Sequence, residues 1–276
     1  MENNNHLWQT KRLIRLYGFS PKKHLGQNFT VNLRILQKLV SYASLTIDDT
    51  VLEIGAGFGF LTQLLSEKCK KVFAVEIDHA LMDFLKKQFH NSRNVDLIEG
   101  DILKVALPYF NKIVSAPPYS ISSPLLFHLL DRNFDSALLI LQKEYAERLA
   151  ASVGTKNYGR LTVTVYYSAD VELLDFVPRK MFYPPPDVDS MMVRLKPRCP
   201  PFQVDDEAVF FELVRVLFTQ RNKKVRNALI PFLRKRKIIR KDATILADSI
   251  IYNMKRVREL TPEDFGLLSN ELVRNL

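Results

Sequence analysis

A run of glycines and three acids stand at regular intervals in the first half of the chain. Glu53-Ile54-Gly55-Ala56-Gly57-Phe58-Gly59 joins a short apolar run to a helix-period segment. Glycines there permit a tight turn and let a ligand approach bare backbone. Alone, such a loop is as consistent with an ordinary strand-to-helix turn as with a cofactor site. Its surroundings add weight. Glu76 closes the next apolar run about 20 residues on, where a carboxylate can accept hydrogen bonds from two ribose hydroxyls. Asp101, in Glu99-Gly100-Asp101-Ile102, closes the third, in position to accept from an exocyclic adenine amine. A nicotinamide dinucleotide would need G-x-G-x-x-G for its pyrophosphate, and the spacing here is G-x-G-x-G. Glu53, just ahead of the glycines, repels phosphate and attracts an ammonium or sulfonium centre. The rim therefore favours S-adenosylmethionine.

Ser115-Ala116-Pro117-Pro118-Tyr119 follows a fourth apolar run. The prolines fix the backbone so that a main-chain carbonyl can point at a planar amine, and Tyr119 offers a ring on which an extruded base can stack. An exocyclic amine on a base is a poor nucleophile because its lone pair is delocalised. A site for it needs acceptors for the amine protons and in-line positioning. The competing reading is a rigid loop with an aromatic lid.

These motifs need a scaffold that brings strand ends to one rim. Apolar runs 51–54, 72–75, 95–98, 112–115 and 137–142 alternate with helix-period segments 61–68, 80–89 and 123–130. That alternation predicts an α/β, Rossmann-like domain with a parallel sheet and right-handed crossovers. Segments 161–167 and 191–196 read as β-rich, an appended hairpin-like edge. Pro197-Arg198-Cys199-Pro200-Pro201 is a stiff connector, and segments 206–219, 223–235, 241–252 and 262–275 read as helices. The expected division is 1–197, a methyltransferase-like domain, and 198–276, a small C-terminal helical domain. With 276 residues, 47% of them hydrophobic, the chain has material for both cores.

Two distant cysteines, Cys69 and Cys199, give neither a disulfide framework nor a zinc site. His24, His79, His90 and His128 form no metal set, so no metal is expected. Apolar runs fall short of the ~20 residues of a membrane span, and Met1-Glu2-Asn3-Asn4-Asn5 lacks a signal pattern. A cytoplasmic protein, and a monomer, is expected. The net charge of +10 points to a polyanion. Residues 221–241 hold ten Lys or Arg and no acid: Arg221, Lys223, Lys224, Arg226, Arg234, Lys235, Arg236, Lys237, Arg240 and Lys241. A solvated helix face normally mixes signs for i,i+4 pairing, so an unmixed run favours phosphate binding. Lys11, Arg12, Arg15, Lys22 and Lys23 add a second basic patch.

The chain resembles the small-subunit ribosomal RNA adenine dimethyltransferases over nearly its whole length. The resemblance rests on Pro21-Lys22-Lys23-His24-Leu25-Gly26-Gln27-Asn28-Phe29, the glycine loop, 75–78, 99–102, 118–130, Gly154-Thr155-Lys156-Asn157-Tyr158-Gly159-Arg160, Phe182-Tyr183-Pro184-Pro185-Pro186-Asp187-Val188-Asp189-Ser190 and Gln220-Arg221-Asn222-Lys223-Lys224. It implies that Asn28, Thr30, Gly55, Gly57, Glu76, Asp101, Ile102 and Ala116 line a pocket for S-adenosylmethionine. It also implies that Tyr119 and Phe182 sandwich a flipped adenine beside Pro117 and Pro118. The implied reaction forms N6,N6-dimethyladenosine at two adjacent positions near the 3′ end of small-subunit rRNA, on an immature small ribosomal subunit. Two positions depart from the family: Thr30 stands where it has Leu, and Ala116 where it has an Asn whose amide oxygen accepts from the target amine. Alanine offers no acceptor, which keeps open a ribosome-assembly factor with impaired chemistry. A large-subunit rRNA methyltransferase is a third, weaker reading.

Overall fold

The computed structural model describes residues 5–275. The start of the chain, expected to lack a signal, falls mostly in residues 1–4, outside the described residues, as does the side chain of Arg240 in the basic run. Two compact units are present. One comprises the chain to Ala146 together with Glu172–Pro197, and the other Glu147–Val171 together with the chain from Arg198 onward.

The first unit is built on a seven-stranded sheet. β2 (Thr50–Ile54), β3 (Lys71–Glu76), β4 (Val95–Glu99), β5 (Lys112–Ser115) and β6 (Ser136–Gln142) pair in parallel, with β4, β3 and β2 running out to one side and β5 and β6 to the other. Residues 136–141 of β6 are all buried, which explains why its sequence is a continuous apolar run. Helices α3 (Phe60–Ser66), α4 (His79–Gln88) and α5 (Ser122–Leu130) are crossovers between parallel strands, and α1 (Asn5–Leu16) and α2 (Leu33–Tyr42) precede the sheet. Asn32 caps α2, its Oδ1 accepting from the Ile35 N–H at 3.2 Å. A separate two-stranded ribbon pairs β1 (Phe29–Thr30) antiparallel with β8 (Phe182–Tyr183), placing Thr30 opposite Phe182.

The far edge differs from expectation. The 191–196 segment is a strand, β9 (Ser190–Pro197), antiparallel to β6, but its outer neighbour is β7 (Ala169–Val177). Residues 161–167 instead lie in a helix, α7 (Arg160–Ser168), which follows the short α6 (Lys143–Leu149). Its Thr-Val-Thr-Val run favours strand locally, yet Val163 and Tyr167 pack into the helical core beside Phe210, Leu213 and Leu217, and that burial overrides propensity. The expected division is corrected accordingly, because residues 147–171 belong with the C-terminal helices and the crossing at 197 is one of three. In that second unit α8 (Glu207–Phe218), α9 (Val225–Lys235), α10 (Arg240–Ser249) and α11 (Pro262–Asn275) surround the shared core.

β2 and β5 are where the sheet changes direction, and the Ser115 hydroxyl fastens their ends. It donates to the Ile54 carbonyl at 2.6 Å and accepts from the Ile54 N–H at 3.3 Å. Immediately beyond, Gly59 starts α3 with φ +72°, and a Cβ there would lie 2.7 Å from the Phe89 ring and 2.9 Å from Leu85. Gly59→Ala is therefore expected to destabilise the protein by ~1–3 kcal/mol through overpacking, with a left-handed backbone penalty added. Denaturant unfolding checks this; an unchanged midpoint would show that the close approach carries no stability.

Candidate active site

The carboxyl ends of β2 to β5 open on one cavity in the first unit. Its walls are the glycine loop, the ends of β3 and β4, the 116–121 loop after β5, residues 24–29 and Phe182. Asn28, Gly55, Gly57, Glu76, Asp101, Ile102, Ala116, Pro117, Pro118, Tyr119 and Phe182 all face it. Thr30 does not. It lines a smaller hollow instead, together with Asn28, Phe29, Gly55, Gly57 and Ala116, which line both.

The acids are held in different ways. Glu76 is 5% exposed, and its oxygens accept from the backbone N–H groups of Gly57 (2.9 Å), Ile77 (3.0 Å) and Asp78 (2.9 Å). Of roughly four lone-pair positions on a carboxylate, three are therefore used within the protein, and one is left for a ligand hydroxyl rather than the expected two. Burial raises its pKa, against those donors. Asp101 accepts from the Leu103 N–H at 3.0 Å through Oδ1, while among the described residues its Oδ2 meets only exposed Lys104, at 3.4 Å. That oxygen is open to a ligand amine. Glu53 is 1% exposed and accepts from the Thr62 hydroxyl at 2.6 Å. Burial, seconded by repulsion from Glu76, pushes it up to about 8. A cation bound beside it would restore its charge.

Asp78, the last residue of the 75–78 segment, holds the chain around the cavity. It caps α4 through the Ala80 N–H, and its Oδ2 receives Gln27 Nε2 at 2.8 Å and Lys22 Nζ at 2.9 Å. Burial acts to raise its pKa, but the contacts from Lys22 and Gln27 outweigh that and hold it below the usual value. Lys22, expected on RNA, is thus committed to tethering residues 22–27 over the cavity. Lys23 is exposed.

Tyr119 and Phe182 do meet, but edge to face, with centroids 6.3 Å apart and planes at 72°. A parallel sandwich requires one ring to turn. Tyr119 is anchored by its hydroxyl on that of buried Ser190, and burial pushes its pKa up to about 12. Ser190 and Thr62 are partners that sequence spacing does not single out; only the packing sets them against Tyr119 and Glu53. In the loop itself, the Ile121 N–H donates to the Pro118 carbonyl at 3.2 Å, and among the described residues the Pro117 carbonyl is not spent on the turn.

The second unit carries the long basic run, and its cations fall into three sets. Lys235 and Arg236 pair with Glu212 of α8, and Arg226 pairs with Asp248 of α10. The signs unmixed in sequence are mixed in space. Arg221 donates to the Thr155 and Lys156 carbonyls at 2.9 and 2.8 Å. Lys224 has its ammonium 4.0 Å from the Met254 sulfur. Lys223, Arg234 and Lys237 are exposed and have no acidic partner among the described residues. Among the described residues no group of three or more His, Cys, Asp or Glu could hold a metal ion, and no helix is long and apolar enough to cross a membrane.

A family model described as ribosomal RNA adenine dimethylase matches residues 18–273. The chain is 44% identical over 248 residues to a probable ribosomal RNA small subunit methyltransferase A of Methanosarcina acetivorans, covering 89% of this chain and 91% of that one. It is 37% identical over 278 residues to ribosomal RNA small subunit methyltransferase A of a Geobacillus species, covering 96% of each. Among solved structures it resembles a dimethyladenosine transferase from Plasmodium falciparum, with TM-score 0.77 and 31% identity over 90% of this chain and 97% of that one. It also resembles the 23S rRNA methyltransferase ErmE, with TM-score 0.66 and 28% identity over 89% of this chain and 100% of that one.

The buried Glu53 generates a pH prediction. A carboxyl raised on folding adds stability that is fully present below the ordinary carboxylate range and is lost as pH rises through about 8. Glu53→Gln keeps a neutral partner for Thr62 and removes the titration. The stability of the natural protein relative to Glu53→Gln is expected to fall as pH is raised from about 5 to about 9. Parallel melting curves check it, and a pH-independent difference would mean that Glu53 is not held protonated.

Proposed function

The chain belongs to the ribosomal RNA adenine dimethylase family, and we propose that it dimethylates N6 of two adjacent adenosines near the 3′ end of small-subunit rRNA, drawing on S-adenosylmethionine. It acts as a cytoplasmic monomer on an immature small ribosomal subunit. The observation that carries this reading is the meeting, in one cavity, of the Glu76 and Asp101 acceptors with the Pro-Pro-Tyr loop and Phe182. The assembly-factor alternative rests on Ala116 and the basic run, and is not favoured. The large-subunit reading is supported less, since the curated relatives above are named for the small subunit.

The residues present fit the cofactor. Asp101 Oδ2 suits the adenine amine, the remaining Glu76 position suits a ribose hydroxyl, and Ile54, Val75, Leu81 and Ile102 supply apolar walls. Glu53 answers a positive charge nearby. When bound, S-adenosylmethionine supplies an electrophilic methyl group on a sulfonium. The protein's own part is to orient the acceptor. Phe182 and Tyr119 hold the extruded base by its faces once one ring has turned, and the Pro117 carbonyl accepts one amine proton and so aims the nitrogen lone pair. Exposed Lys223, Arg234 and Lys237 meet RNA phosphates, which position the substrate without reading its sequence.

A methyl-transfer assay on small subunits from a strain lacking the two modifications tests the reading, with primer extension to locate the product. Dimethylation at adjacent adenosines is expected; bound cofactor with no methyl incorporation overturns it. In the same assay Tyr119→Ala should lose roughly 10- to 100-fold, the equivalent of ~1–3 kcal/mol of base stacking, with cofactor affinity unchanged. The double variant Arg234→Glu, Lys237→Glu should weaken subunit binding and flatten its salt dependence. Equal salt slopes for variant and natural protein would return these residues to the solvated surface.

A further inference from the structure

A groove about 530 Å³ in volume is walled mainly by α1, α3 and α4, and it shares no wall residue with the main cavity. Ligand clefts commonly measure ~300–1,000 Å³. Trp8 and Leu16 of α1, Leu64 of α3 and Phe84 of α4 give it apolar walls, and the Phe84 ring is braced edge-on by Tyr17 and Phe58, with centroids 5.2 and 5.8 Å away. Trp8 is 58% exposed. Half-buried Gln9 and exposed Gln63 and Gln88 set three amides in the same walls. An aromatic surface edged with amides suits a heteroaromatic ring, whose faces stack while its edge hydrogen-bonds. None of the wall residues is an acid, and Arg12 stands among them with its guanidinium 5.2 Å from the Trp8 ring centre. Lys11 and Arg15 lie one turn apart on α1, whose residues 5–16 include no acid. Like charges spaced i,i+4 destabilise a helix, and a bound anion relieves them. Lys11 also links this edge to the pocket: its ammonium sits over the Tyr183 ring, 5.2 Å from the centre, and Tyr183 adjoins Phe182 of the cavity wall.

We propose that this groove binds an unpaired base of the RNA strand that presents the target adenosine, stacked on Trp8 and Arg12, with the linking phosphates on Lys11 and Arg15. An indole ring and a guanidinium plane are both stacking surfaces for such a base, and the cations follow the strand between groove and cavity. This second anchor holds the strand on the protein while the target is extruded, so it contributes to substrate binding and not to the chemical step. The identity of the strand rests on the methyl-transfer reading above, but binding of a base in the groove does not.

Trp8 is the single tryptophan of the chain, so its fluorescence reports on this groove. With the cofactor site of the full-length protein saturated by S-adenosylhomocysteine, a short single-stranded oligoadenylate should quench Trp8 saturably, and an abasic oligonucleotide of the same length and charge should quench it little. An equal response to the abasic chain, or no response to either, overturns the proposal. So does a response confined to an acidic amphipathic peptide, which would assign the groove to a protein partner. On small subunits from a strain lacking the two modifications, Trp8→Ala should raise KM for the subunit about tenfold, with kcat and the affinity for S-adenosylmethionine within about twofold. Trp8 lies at the surface, so its loss leaves the core intact, and Trp8→Phe should recover most of the binding. An unchanged KM for Trp8→Ala overturns the groove's part in holding substrate. If the natural protein transfers no methyl group to these subunits while oligoadenylate still quenches Trp8, the substrate reading fails and the base site stands.

Discussion

Every feature of the pocket depends on two neighbouring strands whose chains leave in opposite directions. β2 hands on to β3 and β4 on one side, and β5 hands on to β6 on the other, so no crossover helix can cover the gap between their ends. The glycine loop and the proline loop rise on its two sides. Ser115 limits how far it opens, because one hydroxyl bonds both the N–H and the carbonyl of Ile54. A ligand at this crevice touches both loops at once, which a methyl donor and its acceptor require.

Burying three acids near one cavity is costly, and each is compensated differently. Backbone donors satisfy Glu76, a lysine and an amide satisfy Asp78, and Glu53 is left largely protonated with a threonine. The differences suit the tasks. A carboxylate wired to the backbone cannot drift, so Glu76 sets the geometry of the loop as much as it greets a ligand. The acid without a cationic partner is the one whose charge state a cationic ligand can change.

Much of this was legible in the sequence because it is local. Strand ends, the glycine spacing, and Glu76 and Asp101 at their places follow from period and punctuation, and the C-terminal helices from their apolar faces. What escaped is tertiary. The α7 segment looks like a strand until Val163 and Tyr167 find the helical core. Thr30 reads as a residue of the main cavity, but the packing sets it against the smaller hollow. The basic run reads as unpaired because Glu212 and Asp248, which pair with it, lie on other helices. Tyr119 and Phe182 lie edge to face, and ring angles are set by contacts such as that with Ser190, which no spacing encodes.

The ribbon of β1 and β8 has a consequence for the order of folding. It joins residues about 150 positions apart, so closing it carries a large loop-entropy cost and must follow formation of the sheet between them. The front of the pocket and Phe182 arrive together and late. A growing chain cannot assemble its ligand site before β8 has been made, and integrity of that site reports that the first unit is complete.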